Sequence, residues 1–551
     1  MMKRLKMLTF LLSFCLIGNA GNVNPIPPKH EVRAVWLTTI GGIDWPRSHN
    51  ADTQQRQLCE ILDQLKRAHV NTVLLQCRVR GTTIYPSSFE PFDACITGKA
   101  GGRPNYDPLQ FAIDECHRRG MELHAWIVTI PMGKWKAAGC KNLLNRYPSM
   151  LKKIGDEGFM NPESSQTAPY LADICDDIAR RYDVDGIHLD YIRYPETWNI
   201  RGSRHEARAN ITRIVRAIYN KVKTRKPWVK LSCSPIGKSE DLTRYSSNGW
   251  NAYARVCQDA QGWMRDGLMD QIYPMIYFKD NNFYPFAIDW AENACGRTVV
   301  AGLGIYFLSP SEGRWTLDDV TRQMYVSRQI GIGHAYFRSR FFTDNTKGIY
   351  TFAANDFDNF PALIPPMTWE HATPPETPVD LNVKQDNGKV NLMWGKSDYT
   401  LLYNVYAANT YPVNTDDPRN LIATRIQGNS ITFPSNGKNT LRHFAITAID
   451  RYGNESLALQ SEQLMNDRST KPQYLSNDGR LLQLPPKGYT LNADYVTIED
   501  MKGKIIATRP YNSQYTDISR LKDGVYVLRS LNRKGITHRL GHFVIKRKAI
   551  P

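Results

Sequence analysis

DVDGIHLDYIRYP, residues 183–195, threads a short apolar strand through three carboxylates, a histidine, an arginine and two tyrosines. Ile187 and Leu189 fall on one parity, and Gly186, His188 and Asp190 fall on the other. Successive residues of a strand point to opposite faces, so one face here is greasy and the other carries ionisable groups. A barrel strand needs that division, with the apolar face under the covering helices and the polar face on the axis. The pattern recurs upstream. Glu122, His124 and Trp126 alternate with Leu123, Ala125 and Ile127, and Gln76, Arg78 and Arg80 alternate with Leu75, Cys77 and Val79.

Working outward, eight such strands are expected, over residues 33–39, 71–80, 121–128, 183–191, 229–235, 269–278, 298–307 and 331–337. The gaps carry helical periodicity, as in QRQLCEILDQLKRAHV and DPLQFAIDECHRRG, where apolar residues recur three or four apart and Gly120 ends the second run. Eight strand–helix units over some 300 residues fit an α/β fold, a (β/α)8 TIM barrel spanning 30–360, with its polar lanes converging on the C-terminal mouth. A proline-rich linker, 361–374, comes next. Strand runs at hairpin spacing then predict two small all-β domains, a sandwich over 375–463 with Trp394 and Tyr406 as core aromatics, and a second unit over 472–551.

Residues 1–20 place Lys3, Arg4 and Lys6 before an apolar run and end in Gly18, Asn19 and Ala20, the layout of a signal peptide. Export to the periplasm or cell surface is therefore expected. A lipoprotein route through Cys15 is disfavoured by the bulky Phe14 before it. No later run reaches the length of a membrane span. Cys59 to Cys295 supply nine cysteines without CxxC spacing, which argues against a zinc ribbon or a disulfide scaffold, though export would permit a bridge or two. The net charge is +17, and from Lys471 onward 15 Lys and Arg face 6 Asp and Glu. In an exported chain this basic tail points to an anionic envelope or glycan rather than to nucleic acid, and to envelope attachment through the C-terminal β domains.

The segments EVRAVWLTT, RVRGTTIYPSSFEPFD, YDPLQFAIDECHRRGMELHAW and DVDGIHLDYIRYP together resemble glycosyl hydrolase-like family ten, from about Glu31 to Asn345. The resemblance implies a (β/α)8 barrel that hydrolyses glycosidic bonds, with peptide-free peptidoglycan strands as a substrate. The chain departs from the family pattern at Thr82, where an aspartate is common, and at Val128 and Thr129, where an Asn-Pro pair is common. Residues from about Pro375 to Ser456 are similar to a fibronectin type III module. DGVYVLRS and GHFVIKRK are similar to type IX secretion sorting domains.

Glycoside hydrolysis ordinarily uses two carboxyl groups across the scissile bond. Asp190, at the end of strand four and on its inward parity, is the expected catalytic acid. Glu90, in the loop after strand two, is the first choice for its partner, ahead of Glu196, Asp280 and Glu312. Asp185, at the start of strand four, reads as structural. The substrate-binding set comprises Arg78 and Arg80 for an anionic group, together with His124, Trp126, His188, Arg193, Tyr273 and Tyr277. No cofactor is expected. Two alternatives stand beside this reading. One is a metal-dependent hydrolase with His124, His188 and Asp190 as ligands. The other is a non-catalytic glycan-binding envelope protein.

Overall fold

The computed structural model describes residues 27–386, 388–395, 402–434, 443–461, 475, 477, 479–484, 493–501, 503–511, 515–532 and 537–546. The expected signal peptide, with Cys15, lies outside the described residues. Eight parallel strands form the framework: β1 Arg33–Leu37, β2 Thr72–Val79, β3 Glu122–Val128, β4 Gly186–Asp190, β5 Lys230–Ser234, β6 Gln271–Ile272, β7 Thr298–Leu303 and β8 Gly333–Tyr336. Each pairs with its sequence neighbours, and β1 also pairs with β8, so the sheet closes into a barrel. The connections carry helices α1 Ala51–Arg67, α2 Pro108–Arg118, α3 Thr167–Arg181, α4 Arg204–Arg225, α5 Ala260–Arg265, α6 Tyr284–Glu292 and α7 Leu317–Gln329.

Local sequence starts these helices where the barrel needs them. The Asn50 side chain caps α1, and Asp107 accepts from two amides at the start of α2, with Pro108 in the first turn. Ser203 and Glu206 form a capping box on α4. Strand parity then separates two cores. Val35, Leu75, Leu123, Ile187 and Leu231 pack outward under the helices, whereas Ala34, Trp36, Leu74, Trp126 and Tyr273 fill the lumen.

Two antiparallel sheets follow the barrel, one over Val379–Asp386, Lys389–Gly395 and Ser430–Pro434, the other over Leu402–Ala408, Leu421–Ile426, His443–Ile449 and Leu459–Gln460. Val390, Leu392, Trp394, Val405, Phe444 and Ile446 form their shared core. Tyr406, the other expected core aromatic, is also fully buried, in a second cluster with Ala408, Val413, Leu421 and Ala445 that Leu363 of the linker joins. The linker itself hugs the barrel base. The Glu31 amide donates to Leu363 O (2.9 Å), and Trp369 Nε1 donates to Asp270 Oδ1 (2.9 Å). From the sandwich, Arg425, held at a positive φ of 54°, bonds Glu122 (3.0 Å) and Asp185 (2.5 Å) at the N-terminal ends of β3 and β4. Asp185 is thus structural in position. A separate compact unit, Gln463–Pro551, holds a four-stranded antiparallel sheet over a core of Val496, Ile498, Leu528 and Phe543. All nine cysteines from Cys59 to Cys295 are free thiols, and seven of them are buried.

Candidate active site

Asp190 is the last residue of β4 and sits in register with Val128 of β3 and Ser234 of β5. Three neutral donors converge on its carboxylate. Trp126 Nε1 donates to Oδ2 (3.1 Å), while Ser234 Oγ (2.8 Å) and the Tyr191 amide (2.7 Å) donate to Oδ1. From β3's exit loop, Thr129 pins the Asp190 carbonyl through its amide and hydroxyl, both at 2.9 Å. Protein surrounds the carboxyl, yet the residue keeps part of its surface open at the mouth. Burial raises its pKa, and the bonds from Ser234, Tyr191 and Trp126 with the charge of Arg193 only partly offset that rise. A carboxyl shifted this way holds its proton longer than a free aspartate, as a general acid must.

The next five residues assemble the rest. Tyr191 has a positive φ of 53°, an uncommon conformation for an aromatic residue and a mark of a constrained site. Its hydroxyl donates to Glu196 (2.9 Å), and the Arg193 guanidinium lies over its ring at 3.7 Å while pairing with Glu196 at 2.8 Å. Burial works to raise the Glu196 pKa, but Arg193, a backbone amide and the Tyr191 hydroxyl outweigh it and hold the carboxyl below its usual range. The loop therefore offers one carboxyl biased toward protonation and one biased toward ionisation. Tyr277 completes the constellation. Its ring stacks on Phe337 at 5.3 Å, and its hydroxyl is buried without a hydrogen-bond partner among the described residues. Burial and the charge of Asp190 both push that phenol's pKa well up.

The remaining expected residues scatter. Arg78 and Glu90 pair bidentately (2.7 and 2.6 Å), but on the helix side of the barrel wall. A β-bulge between Gln76 and Arg78 sets Arg78 opposite the outward-facing Ile127, reversing the parity that alternation predicts. There Arg78 donates to Thr129 O (2.8 Å), and Tyr170 of α3 donates to Glu90 (3.3 Å). Glu90 is thus committed to a buried ion pair behind the wall, and the expected Asp190–Glu90 pairing is not what the fold brings together. Arg80 is exposed at the rim, with its stem against Gly133. His188 and Tyr273 do face the lumen, but as filling. His188 Nε2 accepts from Trp36 (3.2 Å), its Nδ1 meets Ser232 Oγ (2.9 Å), and the Tyr273 hydroxyl donates downward to Gln271 (2.9 Å). His124 meets Glu122 (3.1 Å) in the base layer. Each of His124, His188 and Asp190 is hydrogen-bonded to other partners, and no cluster of three or more His, Cys, Asp or Glu is placed to hold a metal among the described residues. Asp280, which opens a short 3-10 helix, and Glu312, in a turn, are both exposed.

Sequence reading missed Ser234, and saw Thr129 only as a departure from the family pattern rather than as a partner of Asp190. The alternation Ser232-Cys233-Ser234 carried the signal for the first, since both serines share the inward parity of β5. The model of the family described as Glycosyl hydrolase-like 10 matches residues 31–207 and 203–306. The chain belongs to that family. Its sequence is 26% identical over 499 residues to the glycosyl hydrolase YngK of Bacillus subtilis, covering 82% of this chain and 95% of that protein. It is 29% identical over 290 residues to the glycosyl hydrolase DigH of Escherichia coli K12, covering 45% and 66%. Among solved structures, the catalytic domain of a beta-amylase from Paenibacillus polymyxa is similar at TM-score 0.41 and 10% identity, over 61% of this chain and 98% of that one. The enzyme class expected from the sequence, a glycoside hydrolase, is the class of this family.

Proposed function

We propose that this protein is an exported glycoside hydrolase that cleaves a polysaccharide at the C-terminal mouth of its barrel, with peptide-free peptidoglycan strands as the substrate. The observation that carries the reading is Asp190, a carboxyl raised by burial at the end of β4 and aimed by Trp126 and Ser234. Asp190 protonates the glycosidic oxygen as the bond from it to the anomeric carbon breaks. Glu196, kept ionised by Arg193, stabilises the positive charge that develops on the sugar. Water then supplies its oxygen to the anomeric carbon, and its proton restores the acid. Trp126 and Tyr277 orient the sugar, the first through the acid it holds and the second through a hydroxyl that has no partner among the described residues. The basic C-terminal unit fits attachment to an anionic envelope.

Product analysis tests this directly. Purified protein is incubated with peptide-free peptidoglycan strands and with a panel of neutral glycans, alongside the Asp190→Asn variant. New reducing ends from the wild type, absent with the variant, are expected. Equal cleavage by both proteins would remove Asp190 from the mechanism.

A further inference from the structure

Just past β1, the consecutive residues Thr38, Thr39 and Ile40 orient two side chains that come from other strands. The first is Gln76 of β2. Its Oε1 accepts from the Thr39 amide (3.0 Å) and the Ile40 amide (2.9 Å), and Thr39 Oγ1 donates to its carbonyl (2.8 Å). Two backbone N–H groups can be met only by an oxygen, so the side-chain nitrogen takes the other side. That nitrogen finds no acceptor among the described residues, although Gln76 is only 4% exposed. The second side chain is Arg338, just beyond β8. Asp44 Oδ2 accepts from the Thr38 amide (3.0 Å) and hydroxyl (2.6 Å), and its Oδ1 accepts from Arg338 Nη1. The Nε and Nη2 of that guanidinium have no acceptor among the described residues, and the side chain is partly exposed.

Both residues stand at the mouth. Gln76 lies one inward position beyond Leu74 of the lumen core and in register with Trp126, the indole that holds Asp190. Arg338 follows Phe337, whose ring stacks on Tyr277. Because β8 is four strands from β4 in either direction round the barrel, Arg338 stands across the mouth from the acid. Anchors on consecutive residues, whose Cα atoms are ~3.8 Å apart, keep the two donors on one patch.

The chemistry of that patch is one-sided. Gln76 Oε1 and the buried Asp44 carboxylate are engaged by the protein, so what remains toward the mouth is N–H donors without acceptors. A sugar hydroxyl both gives and takes a hydrogen bond and uses such a patch only in part. An oxygen that only accepts uses it fully. Charge then separates the acceptor groups that a sugar carries: Asp44 offsets Arg338 and Glu196 offsets Arg193, which leaves no cation over for a carboxylate. A neutral carbonyl is the match.

We propose that Gln76 and Arg338 are specificity-determining residues that hold the carbonyl of a 2-acetamido group, so that the site selects N-acetylhexosamine units. Thr38, Thr39 and Asp44 are their positioning residues. The inference rests on reading the mouth as a glycosidase site.

The test reads a preference, which a residue that only supports the fold would not change. Affinity of the full chain is measured for chitin oligomers, for cello-oligomers of the same length, which carry a hydroxyl in place of the acetamido group, and for oligouronates, which carry a carboxylate. Gln76→Glu keeps the oxygen that Thr39 and Ile40 require and replaces the donor with an acceptor. Arg338→Lys keeps the charge beside Asp44 and loses the planar set of donors. The wild type should bind chitin oligomers about 10-fold more tightly than either competitor, the scale of one well-made hydrogen bond. Each variant should lower chitin affinity about 10-fold and leave cello-oligomer affinity within about twofold, with melting close to wild type. Equal wild-type affinity for chitin and cello-oligomers would overturn the proposal without recourse to any variant. Tighter binding of oligouronates would overturn it too, by assigning the patch to a carboxylate, as would folded variants that keep the full preference. An acetamido preference that both variants erase, in a protein that cleaves no glycan, would leave the patch standing and remove the hydrolase reading. Cleavage that ignores the 2-substituent would do the reverse.

Discussion

At the base of the barrel, Glu122 and Asp185 meet Lys230, His117 and Arg425 at 2.5 to 3.0 Å, so every buried carboxylate there has a cation against it. At the mouth, Asp190 accepts from an indole, a hydroxyl and an amide, and its cation, Arg193, is paired to another carboxylate. The same kind of residue, at the two ends of one strand, is therefore pushed in opposite directions. Asp185 is held well below the ordinary range because its cations outweigh burial, and Asp190 is raised because burial outweighs its neutral donors. Charge at the base is matched and serves stability. Charge at the mouth is left partly unmatched and is available for chemistry.

The sharpest break in this contrast comes from Asp190→Asn. Removing the acid should lower kcat by about 10³-fold, the range for a lost general acid, with melting unchanged or improved. Arg425→Met inverts that signature. It leaves Glu122 and Asp185 one cation short and should cost about 3 kcal/mol of stability in denaturant unfolding, as broken buried pairs do. Pairing it with Asp185→Asn should recover part of the loss, because the stranded charge is then gone. A variant at 425 that melts like wild type would mean the sandwich merely leans on the barrel.

Glu90→Gln distinguishes a buried pair from a catalytic one. It strands the Arg78 guanidinium, which is fully buried, and should cost on the order of 3 kcal/mol in stability. Its kcat, read on protein still folded at low temperature, should stay within about twofold of wild type, since Glu90 lies behind the wall. Tyr277→Phe is milder and runs the other way. Deleting a buried hydroxyl with no partner among the described residues should leave stability level or slightly higher, whereas kcat/KM should fall about 10-fold if that hydroxyl holds substrate.

The barrel was legible because it rests on a repeated local signal. Alternation such as Leu123, Ala125 and Ile127 against Glu122, His124 and Trp126 is written into each strand and needs no partner to be read. Asp190 was legible for the same reason. Glu90 was misplaced because one extra residue in β2 reversed the parity around Arg78, and a bulge leaves no mark in composition. The role of Arg425 could not be foreseen at all. It depends on how a domain some 240 residues away docks, and its sequence neighbourhood, Ala423 to Ile426, reads as an ordinary strand.

The smallest expected effect concerns pH, where the two ends should respond separately. Glu122 is lowered to about 2 and Asp185 further below its usual value, burial opposing and Lys230, Arg425 and His117 prevailing. Groups whose folded pKa is depressed stabilise fully above their unfolded pKa, ~4, and lose that contribution as pH falls below it. His117 is raised, burial opposing and Asp185 prevailing, so its share is complete below ~6.5 and fades as pH climbs through the folded value. Melting temperature should therefore be highest between about pH 4.5 and 6.5, with an acid limb that flattens in Arg425→Met. Asp190 has the opposite sign: its raised pKa stabilises the protonated form, and that share is lost as pH rises above ~4 toward the folded value. The kcat/KM profile should accordingly show an alkaline limb set by Asp190 and an acid limb set by Glu196, neither of which moves in Arg425→Met. If that substitution displaces the alkaline limb, the two ends of the barrel are electrostatically one site and the contrast between them collapses.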